Sequence, residues 1–308
     1  MRVTVLAGGV GAARFLEGLV QVVPPEDVTV ISNTGDDEEF FGLHVSPDID
    51  TVIYTLAGAI DPVQGWGLAG ETYRTLDALR RFGYETWFNL GDSDIATHLF
   101  RTDLLRHGHT LGEATRRVAD AFGLRFALLP VTDDRIRTLV ETAAGTLAFQ
   151  EYFVKHHTEI EVTAVRFAGI EAARPAPGVL DAIASADAVI VAPSNPVVSI
   201  GPILAVLGVR DALRETEAPV AAISPIIGGK TIKGPADRMM ASLGMEPTAT
   251  GVAHAYADFL DVLVIDEEDR DLAPSVEAAG VRAVVAPTIM SGPAEKRALA
   301  EAVLAAVQ

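Results

Sequence analysis

The stretch that decides the fold lies at the N-terminus and reads Val3-Thr4-Val5-Leu6-Ala7-Gly8-Gly9-Val10-Gly11-Ala12-Ala13-Arg14. The apolar run at 3–6 predicts a strand buried on both faces of a sheet, and a helical pattern follows the glycines. Glycines let the backbone approach a ligand closely, and the free N–H groups of a new helix attract anions. The stretch predicts a phosphate-binding turn after the first strand, although many first βα turns contain glycine for local reasons alone.

Further apolar runs predict more strands of one parallel sheet, at 28–32, 86–89, 188–192, 220–224, 262–266 and 283–286. Helical patterns occur between them at 12–23, 70–82, 111–122, 202–213 and 294–307. We expect an α/β fold with a doubly wound, mostly parallel Rossmann-like sheet formed by residues 1–100 and 178–308. Between residues 101 and 177, helices precede strand-like runs at 136–142, 146–154 and 162–167, which predicts an inserted α+β lobe.

Composition excludes several classes of function. The 308 residues carry a formal net charge of −18, which argues against nucleic-acid and anionic-membrane partners because such binding depends on Lys and Arg. The chain has no cysteine, so disulfides, thiolate nucleophiles and Cys-ligated metals are excluded. No segment reaches the ~18 uncharged apolar residues of a membrane helix, and we expect a cytoplasmic protein.

A set of carboxylates follows the second predicted strand. Asp36 and Asp37 come soon after it, and Asp48 and Asp50 stand where the next helix begins. Like charges this close repel unless a cation or a set of amides holds them, and carboxylates beside a phosphate turn are typical ligands of Mg²⁺. The alternative for Asp48 or Asp50 is capping of the following helix.

Three later segments also carry polar groups at predicted strand ends. In residues 89–98, Asp94 and His98 are four apart and share a helix face, which suits a metal pair or a proton relay, although a single histidine there is more often structural. In residues 192–202, prolines fix a loop that can present Ser194 and Asn195 to a base edge or a phosphate. Residues 224–235 are glycine-rich and contain two lysines, which fits a phosphate site or a plain loop equally well.

In this order, the segments resemble the motif series of the CofD/FbiA family, the 2-phospho-L-lactate transferases of coenzyme F-420 biosynthesis. The resemblance covers nearly the whole chain and is carried by Gly8-Gly9-Val10-Gly11, Asn33-Thr34-Gly35-Asp36-Asp37, Ser46-Pro47-Asp48-Ile49-Asp50-Thr51, Leu90-Gly91-Asp92, Asp94, Ala96-Thr97-His98, Ser194-Asn195-Pro196, Ser199-Ile200-Gly201-Pro202-Ile203 and Ser224-Pro225-Ile226-Ile227. It implies transfer of a phospholactyl or phosphoenolpyruvyl group from a guanosine diphosphate-linked donor to the ribityl hydroxyl of the deazaflavin Fo. Release of GMP, a need for Mg²⁺ and a homodimer are also implied.

The resemblance and the residue chemistry together predict roles for three sets of residues. The expected catalytic residues are Asp36, Asp37 and Asp50, with Asp36, Asp37 and Asp48 around the metal. The expected contacts of Fo are Asp50, Asn89, Asp92 and His98. The expected contacts of the nucleotide and its phosphates are Gly8, Gly9, Gly11, Ser194, Asn195, Pro196, Ser199 and Gly201. Aromatic walls for the deazaflavin ring are expected from Phe40, Phe41 and Trp66.

Two other functions remain open at this point. One is a sugar-nucleotide-binding regulator with the same fold, in which glycine and serine follow the paired acids, whereas this chain has Glu38-Glu39 there. The other is a generic nucleotidyltransferase that acts on some other alcohol. The acyl group of the donor also stays open among lactyl, enolpyruvyl and glyceryl, because such small differences depend on pocket contacts.

Overall fold

A computed structural model describes all residues from Met1 to Gln308. The strands are β1 (Val3–Ala7), β2 (Val28–Ser32), β3 (Glu38–Phe40), β4 (Leu43–Val45), β5 (Ala127–Pro130), β6 (Arg137–Thr142), β7 (Gly145–Ala148), β8 (Val162–Ala168), β9 (Ala188–Val191), β10 (Val220–Ile223), β11 (Ile226–Ile227), β12 (Lys230–Thr231), β13 (Val262–Ile265) and β14 (Arg282–Val285). The helices are α1 (Gly9–Leu19), α2 (Pro47–Leu56), α3 (Arg74–Arg81), α4 (Asp92–Arg106), α5 (Leu111–Ala121), α6 (Val179–Ala184), α7 (Gly201–Ala205), α8 (Val209–Glu215), α9 (Ala236–Ser242), α10 (Ala249–Tyr256), α11 (Ala273–Ala278) and α12 (Pro293–Ala306).

The central sheet has seven parallel strands in the order β14-β13-β10-β9-β1-β2-β5. Strand order reverses at β1, which pairs with β2 on one side and with β9 on the other. The loops that leave β1 and β9 therefore diverge and open a crevice at the carboxyl edge, the usual ligand site of such sheets. The predicted doubly wound, mostly parallel α/β fold is confirmed.

Helices cover both faces of this sheet because its strands are apolar on both sides. Val5 and Leu6 are neighbours in β1, yet they point into two different cores, each of 32 buried residues. One core includes side chains of α1, α2, α5 and α12, and the other includes side chains of α6, α7, α8, α10 and α11. This double burial explains why the strands appear in the sequence as uninterrupted apolar runs.

Two predicted elements are wrong. Residues 86–89 form no strand, and the half-buried rings of Trp87 and Phe88 pack against Phe40 in a small aromatic cluster instead. The run predicted as one strand at 146–154 ends with β7, and a single π-helical turn, Glu151–Lys155, follows it.

The helix predicted at 202–213 is divided. A π-helical turn, Pro196–Ile200, leads into α7, and Gly208 with φ of +84° separates α7 from α8.

Taken singly, none of the helices has the length and apolar composition needed to cross a membrane. The pair Pro196–Ala205 and Val209–Glu215 reaches that length and composition only when the two are taken together, and the pair is bent by 85°.

The strand pairing changes the limits of the predicted insertion at 101–177. β5 was not predicted, yet it pairs with β2 at the sheet edge and so joins the central sheet together with α4 and α5 before it. Its run is only four residues long and ends in Pro130, which an edge strand tolerates because one side needs no partner. Outside the central sheet lies the three-stranded sheet β7-β6-β8. Division into two domains stays a prediction.

Candidate active site

One cavity of about 530 Å³ opens at the carboxyl edge of the central sheet. Loops that follow β1, β2, β9, β10 and β14 line it, and so does the segment after β7. The structure brings together most of the predicted site residues on its wall, namely Gly8, Gly9, Gly11, Asp36, Asp48, Asp50, Asn89, His98, Ser194, Asn195 and Ser199. Residues from distant parts of the chain thus share one cavity, and their individual roles stay predictions.

The glycine turn after β1 is packed too closely for side chains. A Cβ on Gly8 would lie 2.7 Å from Ser199 Cβ and 2.9 Å from Asp48 Oδ2, and Gly9 has φ of +74°. The Gly9 N–H donates to Asp48 Oδ1 at 2.8 Å, and the Gly8 N–H donates to Ser194 Oγ at 3.3 Å. The next N–H groups begin α1 and have no acceptor within the helix, so they are available to an anion in the cavity.

Asp36 and Asp48 are buried carboxylates on the cavity wall. Asp48 Oδ2 accepts a hydrogen bond from Asn33 Nδ2 at 2.8 Å, whereas Asp36 Oδ1 has no partner. Burial, together with the negative charge of Asp48, holds the pKa of Asp36 well above its usual range. Burial also raises the pKa of Asp48 to about 6. Both carboxylates are costly to ionise, which fits a cation site. A bound cation would offset the desolvation cost of the charged carboxylates and the repulsion between them.

Asp37 is not on the cavity wall. Its Oδ2 atom lies 2.9 Å from His44 Nε2 and accepts a hydrogen bond from Ser46 Oγ at 2.7 Å, so it joins the β3–β4 hairpin to the start of α2. No group of three or more His, Asp or Glu side chains in the structure is arranged to hold a metal by itself. Asp36 and Asp48 could therefore hold Mg²⁺ only with further oxygens from water or substrate, which is how Mg²⁺ is often bound.

Asp50 is held by a buried arginine. Both terminal nitrogens of Arg101 contact its two carboxylate oxygens, with Nη1 at 3.0 Å from Oδ2. Burial acts to lower the pKa of Arg101, but the charge of Asp50 outweighs it and the pKa is raised. Sequence reasoning missed Arg101, although it stands three residues after His98 on α4 and so shares its face. The Arg101 pairing fixes the direction in which Asp50 faces the cavity.

Tyr54, Asp94 and His98 extend this network along the cavity wall. The Tyr54 hydroxyl donates to Asp94 Oδ1 at 2.6 Å, and His98 Nε2 lies 3.2 Å from the same oxygen. Burial and the charges of Asp50 and Asp94 raise the pKa of Tyr54, so it stays a hydrogen-bond donor. Burial alone would raise the pKa of Asp94, but the neighbouring His98 ring and the Tyr54 hydroxyl bring it below its ordinary value. The group provides fixed donors and acceptors beside Asp50.

Several other predicted site residues lie elsewhere. Pro196 and Gly201 line a separate, smaller pocket with Tyr256 instead of the main cavity. Trp66 lines the main cavity as expected, but Phe40 lies behind that wall, where its ring stacks on Phe88 with centroids 4.0 Å apart. Phe41 packs edge-on against Tyr84. Phe88, which sequence reasoning had placed in a strand, is therefore the aromatic side chain that reaches the cavity at this position.

Asp92 turns away from the cavity and caps another helix. Its carboxylate accepts hydrogen bonds from the Thr72 hydroxyl and from the backbone N–H groups of Arg74 and Thr75 at the start of α3. The bond from Thr72, followed by that from Thr75, lowers the pKa of Asp92. These contacts explain why Asp92 does not face the cavity, unlike its near neighbour Asp94.

Replacing Asp92 with alanine is expected to weaken folding and to leave substrate affinity unchanged. Loss of the cap should lower the free energy of unfolding, because three donors at the start of α3 lose their acceptor. Urea unfolding measures this loss, and steady-state kinetics measure the KM for Fo, the acceptor that the family resemblance implies. A raised KM at unchanged stability would instead return Asp92 to the acceptor site.

A family model described as 2-phospho-L-lactate transferase CofD matches residues 3–288. The chain belongs to the CofD family. The motif resemblance is thereby confirmed, and transferase activity comes with the family. This CofD-family chain is 48% identical over 297 residues to a phosphoenolpyruvate transferase of Streptomyces griseus, covering 94% of this chain and 93% of the relative.

Other relatives of the CofD-family chain carry the second activity name. A 2-phospho-L-lactate transferase of Methanosarcina acetivorans is 41% identical over 300 residues, covering 97% of both chains. Because both activities occur among relatives above 40% identity, overall similarity does not decide the acyl group. A crystal structure of a UPF0052 family member from Bacillus halodurans superposes with a TM-score of 0.66 over 99% of this chain and 100% of that chain. At 17% identity, that likeness concerns the fold alone.

Proposed function

We propose that this protein transfers a phospholactyl or phosphoenolpyruvyl group from a guanosine diphosphate-linked donor to the ribityl hydroxyl of Fo, with release of GMP. The observation that carries the proposal is the meeting of the glycine turn after β1 with the buried pair Asp36 and Asp48 in one cavity. An anion-binding turn beside two buried carboxylates with no basic partner side chain suits a phosphate ester with a divalent metal. Membership of the CofD family supports the assignment to coenzyme F-420 biosynthesis.

In the proposed reaction, the hydroxyl oxygen of the acceptor forms a bond to the phosphorus that carries the acyl group. The bond from that phosphorus to the bridging oxygen breaks, GMP leaves with the electron pair, and the proton of the attacking hydroxyl passes to the Asp50 carboxylate. Mg²⁺, held by Asp36 and Asp48, would neutralise charge on the phosphoryl oxygens. Backbone N–H groups of Val10 and Gly11 would hold the diphosphate, and Ser194 and Ser199 lie within the same wall to orient it.

The acceptor is proposed to bind on the other side of Asp48, beside Asp50 and Asn89. Asp50 is held by Arg101 and can accept a hydrogen bond from the attacking hydroxyl, which fixes the direction of attack. Trp66 and Phe88 provide aromatic wall for a planar tricyclic ring, and His98 provides a polar anchor. The proposed partners are thus small molecules, and the homodimer implied by the family resemblance stays a prediction.

Product mass provides the direct test. We expect the protein, incubated with Fo, Mg²⁺ and guanosine diphosphate-linked lactyl, enolpyruvyl or glyceryl donors, to give a product heavier than Fo by one phosphoacyl group, together with GMP. Reactions without protein and reactions with chelator are the controls. Absence of product with all three donors would overturn the function, and full turnover in chelator would remove the metal from the proposal.

A further inference from the structure

Two cations on the cavity wall have no acidic partner. Arg14 and Lys233 are the lysine and arginine side chains that line the cavity. Arg14 lies on α1, half-buried, and makes no ion pair; Glu17, one turn further along α1, pairs with Lys296 instead. Lys233 donates one hydrogen bond, from Nζ to the Gln64 carbonyl oxygen at 3.0 Å. Both charges are left for a ligand.

The two cations face the same cavity, and Lys233 reaches the start of α1, since a Cβ on Gly65 would lie 3.0 Å from Lys233 Nζ and 4.0 Å from Val10 Cγ1. Burial, and then the positive charge of Arg14, lower the pKa of Lys233. The chain carries a net charge of −18, yet no Asp or Glu side chain pairs with Arg14 or with Lys233. Two neighbouring cations without an acid are stabilised when an anion binds between them.

The rest of the cavity wall limits which anion that is. Asp36 and Asp48 lie on another part of the wall without a basic partner side chain, and Asp50 is already paired with Arg101, so that part offers a carboxylate no free basic side chain. The glycine turn with Asp36 and Asp48 already accounts for the diphosphate of the proposed donor. The donor, a phosphorylated 2-hydroxy or enol acid joined to a nucleotide, also carries a carboxylate near the transferred phosphorus. That group has no other cationic partner on the wall.

We infer that Arg14 and Lys233 bind the carboxylate of the donor's acyl group. The inference rests on the proposed function, because it takes the donor from it. The planar guanidinium of Arg14 can bind a carboxylate through two parallel hydrogen bonds, and Lys233 adds a point charge. The pair thereby selects donors whose transferred unit is an acid, and it places the acid away from the attacking hydroxyl.

Calorimetric titration without Fo tests this, because no transfer occurs and binding is measured by itself. The two probes, with Mg²⁺ present, are guanosine diphosphate-linked phospholactate and GDP, which has the same diphosphate but no acyl group. The variants are Arg14→Met and Lys233→Met. Lys230→Met is the matched control, since Lys230 is exposed in β12 three residues before Lys233, makes no ion pair and is absent from the cavity wall.

In the Arg14→Met and Lys233→Met proteins, we expect the Kd of the phospholactate donor to rise at least tenfold and the Kd of GDP to change less than twofold. Lys230→Met should behave as wild type, and Lys233→Arg should recover most of the affinity. Melting temperatures should match wild type, because neither side chain is fully buried. An equal rise in both Kd values would place the diphosphate on the pair and overturn the inference, as would unchanged donor affinity. These outcomes differ from a failure of the proposed function. In that case the wild-type protein itself would bind neither probe, or would form no product with Fo.

Discussion

Asp36→Asn is expected to remove most of the transfer activity and, at the same time, to stabilise the protein in the absence of metal. Asp36 is buried beside Asp48, and one of its oxygens has no partner, so its ionised form weakens the fold until a cation binds. Asparagine keeps the shape and removes the charge. Turnover should fall by about 100-fold or more, the range for loss of one charge-stabilising group at a reaction centre.

The gain in stability should depend on pH in a defined direction. The pKa of Asp36 is raised above its ordinary value of 3.8, so the folded state holds the proton more tightly than the unfolded state. The destabilisation by Asp36 is therefore absent at pH values below 3.8 and grows as pH rises towards the folded-state pKa. Urea unfolding in chelator should show a larger advantage for Asp36→Asn at about pH 7 than at about pH 5.

Asp103→Asn is the matched control for this variant, because Asp103 is exposed on α4 and its carboxylate pairs with the exposed His107, away from the cavity wall. It should leave both turnover and stability near wild type. Near-normal turnover in Asp36→Asn would remove Asp36 from the metal site. A loss of stability in chelator would mean that the ionised carboxylate is stabilised by contacts other than a cation.

Arg101→Met should cause the largest loss of stability among the substitutions considered. Arg101 is fully buried, and its removal leaves the Asp50 carboxylate at the cavity wall without its ion-pair partner. Breaking a buried pair from one side typically costs about 3–5 kcal/mol. Transfer should also fall, because Asp50 loses the contact that fixes its direction.

A double-mutant cycle separates the pair from general damage to the core. Asp50→Asn alone leaves a buried arginine unpaired and should also destabilise the protein strongly. The double variant removes both charges, so its loss in free energy of unfolding should be smaller than the sum of the two single losses. Urea unfolding of the four proteins gives the coupling directly. Additive losses would show that Arg101 acts by packing alone, independently of Asp50.

Much of the fold could be predicted because it depends on local pattern. Strands such as β1, β2 and β10 are buried on both faces, so each of them is a nearly continuous apolar run that can be identified without its neighbours. The prediction failed where tertiary contacts outweighed the pattern. Residues 86–89 have strand-like composition, but the half-buried rings of Trp87 and Phe88 pack against Phe40 and not against a sheet. β5 is so short that only its pairing with β2 identifies it.

The candidate site divides in the same way. By itself, the sequence determined the parallel α/β fold, the glycine turn after β1 and the place of the carboxylates at strand ends, because each follows from residues adjacent in the chain. Only the tertiary structure decided which carboxylates face the cavity. Asp94 reaches it while Asp92 caps α3, and Asp50 is paired with an arginine 51 residues away. Helix packing over the edge of the sheet sets these directions, and the spacing of residues in the chain does not record that packing.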